Sequence, residues 1–180
     1  MAIQINGNGT ITGISVGGLP DGIVDTDMIA ASAVTPAKST ITGGKILQAV
    51  TNTSNTQKST TAGSSAVADI IDVSITPSNA NNKILVLASV SLICDDNGNA
   101  YSITRLYRGS SSSGTQLVTQ NGGSGHNVTV YSQTGLSYLD SPSTTSATTY
   151  TLAMKRGSSS TNVLTTDGTN YMITAMEVAA

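Results

Sequence analysis

The chain has 180 residues, of which 38% are hydrophobic and only 10% are charged, and its formal net charge is −2. This low and balanced charge, with no cluster of basic residues, argues against nucleic acid as a partner. No run of about 18 apolar residues is present, so no membrane span is expected. The first residues also lack the basic and apolar regions of a secretory signal.

Residues 1–43 are predicted to form an extended N-terminal arm and linker. Ile3 and Ile5 alternate with polar residues before the stretch 6–9, NGNG, whose composition is typical of a hairpin turn. A short helix over 26–33 also fits the pattern, and Pro36 would stop it. The segment has too little apolar surface to fold alone, so we expect it to become ordered against a neighbouring subunit.

From residue 44 to residue 180 the pattern predicts an all-β domain. Its most apolar run is NKILVLASVSLIC at 82–94, in which Ile84 and Val86 lie on one face and Leu85 and Leu87 on the other. A strand that is apolar on both faces is typical of a central strand buried between two layers. The β-branched residues and the turn signals on either side favour a strand over a helix.

About eight strands are predicted, which indicates an antiparallel β-sandwich of the jelly-roll type. The strands are expected over 45–52, 67–76, 83–94, 100–108, 116–119, 127–139, 148–156 and 171–178. The run 127–139 could be two pieces, broken near Thr134 and Gly135. Loops are predicted over 53–65, 109–114, 121–125, 140–147 and 157–170.

Few residues could carry catalysis. His126 is the only histidine and falls in a predicted loop, where a solvated side chain is the ordinary interpretation. Cys94 is the only cysteine and, in the central strand, is interpreted as a small buried hydrophobe. Asp69 and Asp72 differ in parity along their strand, so a paired acid–base site is not expected. We therefore predict no catalytic residue, no metal site, no cofactor and no enzymatic activity.

The stretch 95–99, DDNGN, superficially resembles a calcium-binding loop, but the downstream glutamate of that motif is absent. Asn97 and Gly98 form instead the dipeptide most typical of a two-residue hairpin. Because the stretch lies between two good strands, we interpret it as a turn.

Tyrosine is the only aromatic residue, and all six tyrosines lie after residue 100. Tyr101 and Tyr107 share a parity on one strand, whereas Tyr131 and Tyr138 do not. Packing in the core or between subunits is one interpretation. A surface that stacks on carbohydrate is the other, because tyrosines in Ser- and Asn-rich loops can bind sugars.

Several stretches resemble structural proteins of tailed bacteriophages, especially marine and cyanobacterial phages. In the arm, GGLPDG at 17–22 is similar to a turn of that group, and AVTPAK at 33–38 is similar to one of its ten-residue units. The similar stretches of the body are GGKILQAV at 43–50, VSITPSNANNKILVLASVS at 73–91, YLDSPSTTSATTYTL at 138–152 and ITAMEVA at 173–179. Proteins of this group are tail-fibre-like or virion structural proteins.

The resemblance implies a β-sandwich head, a homotrimer and a place in the virion. A long fibre would carry many ten-residue units, whereas this chain has at most two. We therefore expect a capsid decoration, or cement, protein whose arm binds the major capsid protein. The alternative is a short tail fibre or tail-tip protein whose head binds a host receptor or glycan through the loops 109–114, 122–126 and 157–170. A third class, a secreted sugar-binding or hydrolytic domain, would need a signal or paired carboxylates.

Overall fold

The computed structural model describes residues 4–5, 11–12, 44–60, 67–95, 99–126, 129–157, 162–165 and 169–180. The chain divides into two compact units, Met1–Ile41 and Thr42–Ala180. In the first unit, the described residues form two short antiparallel strands, β1 (Gln4–Ile5) and β2 (Ile11–Thr12), which flank the predicted turn at 6–9. The predicted helix over 26–33 and the rest of the predicted arm lie outside the described residues.

The second unit is all-β over its described residues, which include no helix and hence none long and apolar enough to cross a membrane. Its strands are β3 (Ile46–Ser54), β4 (Ser59–Thr60), β5 (Val67–Ile75), β6 (Lys83–Asp95), β7 (Asn99–Arg108), β8 (Thr115–His126), β9 (Val130–Asp140), β10 (Thr148–Arg156), β11 (Asn162–Thr165) and β12 (Tyr171–Val178). All eight predicted strands are present. The run predicted over 127–139 is one strand, β9, without a break at Thr134 and Gly135.

The long strands form two antiparallel sheets. The smaller sheet has the order β5-β10-β7-β8. In the larger sheet, β9 pairs with one edge of β6, while β12 and the short β11 pair with successive halves of the other edge. Across its width the larger sheet therefore has the order β3-β12-β6-β9, and β4 continues it beside β11. The chain changes sheet after every long strand except β7, whose successor β8 lies beside it in the smaller sheet, and this is the strand order of a jelly roll. The predicted fold class is therefore confirmed.

The core lies between the two sheets. The even-numbered residues of β6 point into it, and Ile84, Val86 and Leu92 are fully buried there. Across the gap they face residues of the smaller sheet such as Leu106 and Leu152. The odd-numbered face of β6 is covered by no second layer among the described residues. The prediction that this strand is buried on both faces is therefore wrong.

The connection at 96–98 does not join a hairpin. β6 ends at Asp95 in the larger sheet, and β7 begins at Asn99 in the smaller one. These two strands pair with other strands and not with each other. The hairpin interpretation of Asn97 and Gly98 is therefore wrong. Turn-forming residues predict that the chain changes direction, but they do not determine which sheet receives the next strand.

The two edges at which the sheets approach each other are closed differently. At one edge, side-chain amides of β3 donate to main-chain carbonyls next to or within β5: Gln48 Nε2 to Thr76 O (2.7 Å) and Asn52 Nδ2 to Asp72 O (2.8 Å). At the other edge, β8 passes so close to β9 that a Cβ on Gly122 would lie 2.8 Å from Ser132 Oγ. The facing sheet thus covers part of each edge.

Glycines explain why β8 is longer than predicted. A Cβ at Gly123 would lie 2.7 Å from Val130 Cγ1, and the Gly123 amide donates to Ser132 Oγ (2.9 Å). The loop predicted over 121–125 is instead part of this strand, which runs to His126. Glycine within a strand is typical of sites where another part of the chain approaches closely.

Candidate functional site

Within the described residues, no group of three or more His, Cys, Asp or Glu side chains could hold a metal ion. His126, predicted to be in a loop, is the last residue of β8. Cys94 is buried in the core, as its position in the central strand predicts. The candidate functional sites of the described residues are therefore surfaces.

Asp69 and Asp72 lie on the same face of the smaller sheet. A register shift in the pairing of β5 with β10 places Asp69 opposite Ala153 and Asp72 opposite Thr151. The bulge arises at Ile70 and Ile71, both of which are buried. The parity argument, which put the two carboxylates on opposite faces, is therefore wrong because a bulge inserts one extra residue. Both aspartates are exposed, so the pair lacks the enclosed surroundings of a catalytic acid and base.

The outer face of the smaller sheet, which we call the charged face, carries ionic side chains. By register its charged members are Asp69, Asp72, Arg105 and Lys155. Arg105 Nη1 donates to Tyr107 Oη (3.3 Å), and the main-chain amide of Ser111 donates to Asp69 (3.3 Å). The latter bond holds the 109–114 loop to this face, on which Tyr107, Thr151 and Ala153 are buried while Asp69 and Asp72 are exposed.

The outer face of the larger sheet, which we call the uncharged face, has by register only two charged residues among those described, Lys83 and Asp95, one at each end of β6. From β9 through β6 and β12 to β3 its members are Tyr131, Gln133, Gly135, Ser137, Leu139, Leu85, Leu87, Ser89, Ser91, Ile93, Met172, Thr174, Met176, Ala49, Thr51 and Thr53. Four apolar or aromatic side chains on it are exposed: Tyr131 (71%), Leu139 (49%), Met172 (39%) and Leu87 (36%). Ile46 (47%), opposite Val178 in the border row with Lys83, is a fifth.

Most tyrosines serve packing. Tyr150 and Tyr171 are fully buried, and the Tyr171 hydroxyl donates to Thr56 O (2.6 Å). Tyr107 is also buried, whereas Tyr131 is the most exposed large hydrophobic residue described. The core interpretation is therefore correct for Tyr150 and Tyr171. Tyr107 is buried on the charged face, opposite Thr151, and Tyr131 is the candidate for contact with another molecule.

Glu177 is a buried carboxylate that the sequence analysis missed. Its Oε1 accepts hydrogen bonds from the Ser78 amide (2.6 Å), the Ser78 hydroxyl (2.7 Å) and Asn82 Nδ2 (2.6 Å), and its Oε2 accepts one from Gln48 Nε2 (2.6 Å). Burial alone would raise the pKa of this carboxyl, but the hydrogen bonds outweigh it and lower the pKa to about 2. The sequence contains a feature that could have identified it, because Glu177 is the only acidic residue in the apolar run 171–178 and occupies a core-facing position there.

A second polar network connects the two sheets. Asp140 of β9 is buried and accepts hydrogen bonds from the Tyr150 hydroxyl of β10 (2.7 Å) and from Arg108 Nη1 of β7 (3.1 Å). Burial and the bond to Asp140 raise the pKa of Tyr150. Arg108 is partly exposed, so this network lies at the rim of the core, where it fixes the position of one sheet over the other.

Comparison with known proteins gives little beyond the fold. No family model and no curated protein matches the chain. Solved structures of infectious bursal disease virus are similar in shape: the VP2 subviral particle (TM-score 0.38, 12% identity, 73% of this chain and 39% of that chain) and the Gt strain (TM-score 0.38, 11% identity, 74% and 38%). The chain thus spans about two fifths of the length of these solved chains, and at this similarity no function is transferred from them.

Proposed function

We propose that this chain is a non-enzymatic virion structural protein, a capsid decoration protein that binds and stabilises the shell formed by the major capsid protein. The observation that carries the proposal is the uncharged face. A sheet exposed to solvent normally presents polar and charged residues on its outer side, whereas this one presents Leu87, Met172 and Leu139 with no charge between them. Such a surface suits a protein that functions within an assembly.

The fold and the sequence resemblance support the same proposal. Eight-stranded jelly rolls occur in viral capsid and lectin domains, although a fold by itself does not determine function. The stretches at 43–50, 73–91, 138–152 and 173–179, which resemble phage virion proteins, fall on strands and connections of this jelly roll. The proposal therefore combines a general architecture with a specific resemblance.

In this proposal, residues 1–43 are the arm that binds the shell. An extended segment can add to a sheet edge of another protein through main-chain hydrogen bonds, which tolerate sequence change. In a homotrimer three such arms would bind together, so that weak individual contacts add to a firm attachment. Extra contact area at the junctions between capsid subunits would help the shell resist the pressure of the packed genome.

Deletion of residues 1–43 tests the role of the arm. We expect the remaining head to keep its β-sheet circular dichroism and cooperative unfolding but to lose binding to particles purified without this protein. The full-length chain is the positive control in the same co-sedimentation assay. If the truncated head binds as well as the full-length chain, the arm does not hold the protein on the capsid.

A second candidate, a short tail fibre or tail-tip protein that binds a host glycan, is favoured by one observation. Tyr131 is 71% exposed, and an exposed tyrosine ring is a common platform for a sugar. Replacement of Tyr131 by alanine would then abolish binding of the head to host cells. Electron microscopy of intact particles distinguishes the two candidates, because density on the shell supports decoration and density on the tail supports a fibre.

A further inference from the structure

We propose that the uncharged face is the surface through which copies of this chain associate with one another. The inference rests on the proposed assembly role and names a second copy of the chain as the occupant of this face. It is carried by the composition of the face, by the contrast with the charged face of the same domain, and by the area of the exposed sheet.

The composition of the uncharged face matches the centre of a protein interface. Interface centres are depleted in Lys, Glu and Asp and enriched in Met and aromatic residues. The cross-strand rows place Met176 beside Leu85, which is in turn beside Leu139, and they place Ile93 beside Tyr131. These two apolar rows lie toward opposite ends of the face, and the residues between them are mainly small and hydroxylic.

The charged face provides an internal comparison. The same chain places Asp69, Asp72, Arg105 and Lys155 on the outer side of the smaller sheet. A low overall charge therefore does not explain why the larger sheet has no charge between Lys83 and Asp95 at its two ends, since four charges are available to the smaller sheet. The difference indicates that the two surfaces meet different environments: the exposed carboxylates of the charged face meet water, and the exposed apolar side chains of the uncharged face meet protein.

The area of the face is sufficient for a specific contact. With strands about 4.8 Å apart and residues about 3.3 Å apart, the paired lengths of β9, β6, β12 and β3 give roughly 450–500 Å² in projection. Two such faces contribute roughly 1,000 Å², which is about the minimum for a specific interface. An occupant that covered only part of the face would leave Tyr131 or Leu139 in water.

The neutrality of the face points to another copy of the chain as the occupant. Nucleic acid requires cationic side chains, and an acidic or basic protein surface would find no opposite charge here. A neutral, flat surface of the same size is present on every other copy of this chain. Pairing of this face with itself has two-fold symmetry and joins two copies, so the threefold contacts of the proposed homotrimer would lie elsewhere. The central small residues, among them Gly135 and Ser89, allow a second sheet to approach closely.

Replacement of Leu87 by lysine tests the inference on the full-length chain. Leu87 lies on the central strand of the face and is 36% exposed, so the variant should fold. The matched control is Thr119→Lys, which adds the same charge to an exposed position on the smaller sheet opposite Arg105. Mass would be measured by light scattering over a dilution series, with 18.2 kDa expected for a monomer, and folding would be checked by circular dichroism.

We expect the wild-type chain and Thr119→Lys to be oligomers, and Leu87→Lys to associate roughly 100-fold more weakly because it buries an unpaired charge. Met172→Lys, on the neighbouring strand of the same face, should behave like Leu87→Lys. A monomeric wild-type chain, or an oligomer that persists in both folded face variants, would overturn the inference. A wild-type chain that is monomeric but binds particles would overturn only this inference. A wild-type chain that is oligomeric but does not bind particles would overturn only the proposed function.

Discussion

The two ends of the sandwich hold their buried polar groups in opposite ways. At one end, the carboxylates of Glu177 and Asp140 are buried and each accepts several hydrogen bonds. At the other end, Ser102 and Thr104 are fully buried, and their hydroxyls have no hydrogen-bond partner among the described residues. We call these the carboxylate end and the hydroxyl end.

The difference follows from the cost of burying each group. A buried carboxylate without partners costs far more free energy than a buried hydroxyl, so it must be surrounded by donors. The carboxylate end is also where the domain begins and ends: the Ala179 amide donates to Lys45 O (2.9 Å), and the Ala180 amide donates to Asn82 Oδ1 (3.2 Å). Polar bonds therefore fix residues 179 and 180 at the carboxylate end, whereas the Ser102 and Thr104 hydroxyls are held by packing.

Replacement of Glu177 by alanine should give the largest effect, since it removes the acceptor of four hydrogen bonds. Asn82 is buried and would lose its main acceptor, whereas the donors on Ser78 and Gln48 can reach water, so we expect a loss of about 2–3 kcal/mol in the free energy of unfolding. Urea denaturation measures it. Asp72→Ala, which removes an exposed carboxylate, is the control and should change stability by less than about 0.5 kcal/mol. Equal losses in the two variants would contradict the role assigned to the carboxylate end.

Acid should lower the folding stability of the wild-type protein by protonating the carboxylate of Glu177. The pKa of Glu177 in the folded chain is about 2, below its usual 4.5. Its stabilising contribution is therefore complete above about pH 4.5 and is lost as the pH falls toward 2, by on the order of 2–3 kcal/mol. Urea denaturation at a series of pH values measures this slope, and Glu177→Gln should flatten it. A slope that is unchanged in Glu177→Gln would show that other groups cause the acid sensitivity.

The sequence predicts this fold well wherever the signal is local. Alternation and turn residues locate β10 and β12 at their observed bounds, because strand periodicity depends only on neighbouring positions. The errors concern contacts between distant residues. The bulge at Ile70, the close passage of Gly122 past Ser102 and the change of sheet after Asp95 are all determined by partners far away in the chain.

The candidate surface could be predicted only in part. The alternation in 82–94 separates Leu85 and Leu87 from the core-facing residues, but it does not show whether a second layer covers them. Only the register with β9 and β12 assembles Leu139, Leu87 and Met172 into one continuous face. A surface made from four strands is therefore not visible in any single strand.

Replacement of Tyr150 by phenylalanine should give a loss of stability of intermediate size, because it removes one donor to the buried carboxylate of Asp140. The hydroxyl donates to Asp140, which would keep only its bonds to Arg108. We expect a loss of about 1.5–2 kcal/mol in the free energy of unfolding, because hydrogen bonds to charged groups exceed neutral ones. Tyr131→Phe removes an exposed hydroxyl and should be neutral in the same urea titration. A neutral Tyr150→Phe would mean that Arg108 alone satisfies the buried carboxylate.

The smallest effect, and one of opposite sign, is expected at the hydroxyl end. Thr104→Val replaces an unpartnered buried hydroxyl with a methyl group of similar shape, so it should leave stability unchanged or raise it by up to about 1 kcal/mol. Thr119→Val, at an exposed position on the adjacent strand, corrects for the higher strand preference of valine. Destabilisation of Thr104→Val beyond this control would indicate that a buried water molecule bonds the hydroxyl. The buried polar groups would then have hydrogen-bond partners at both ends, supplied by side chains at the carboxylate end and by water at the hydroxyl end.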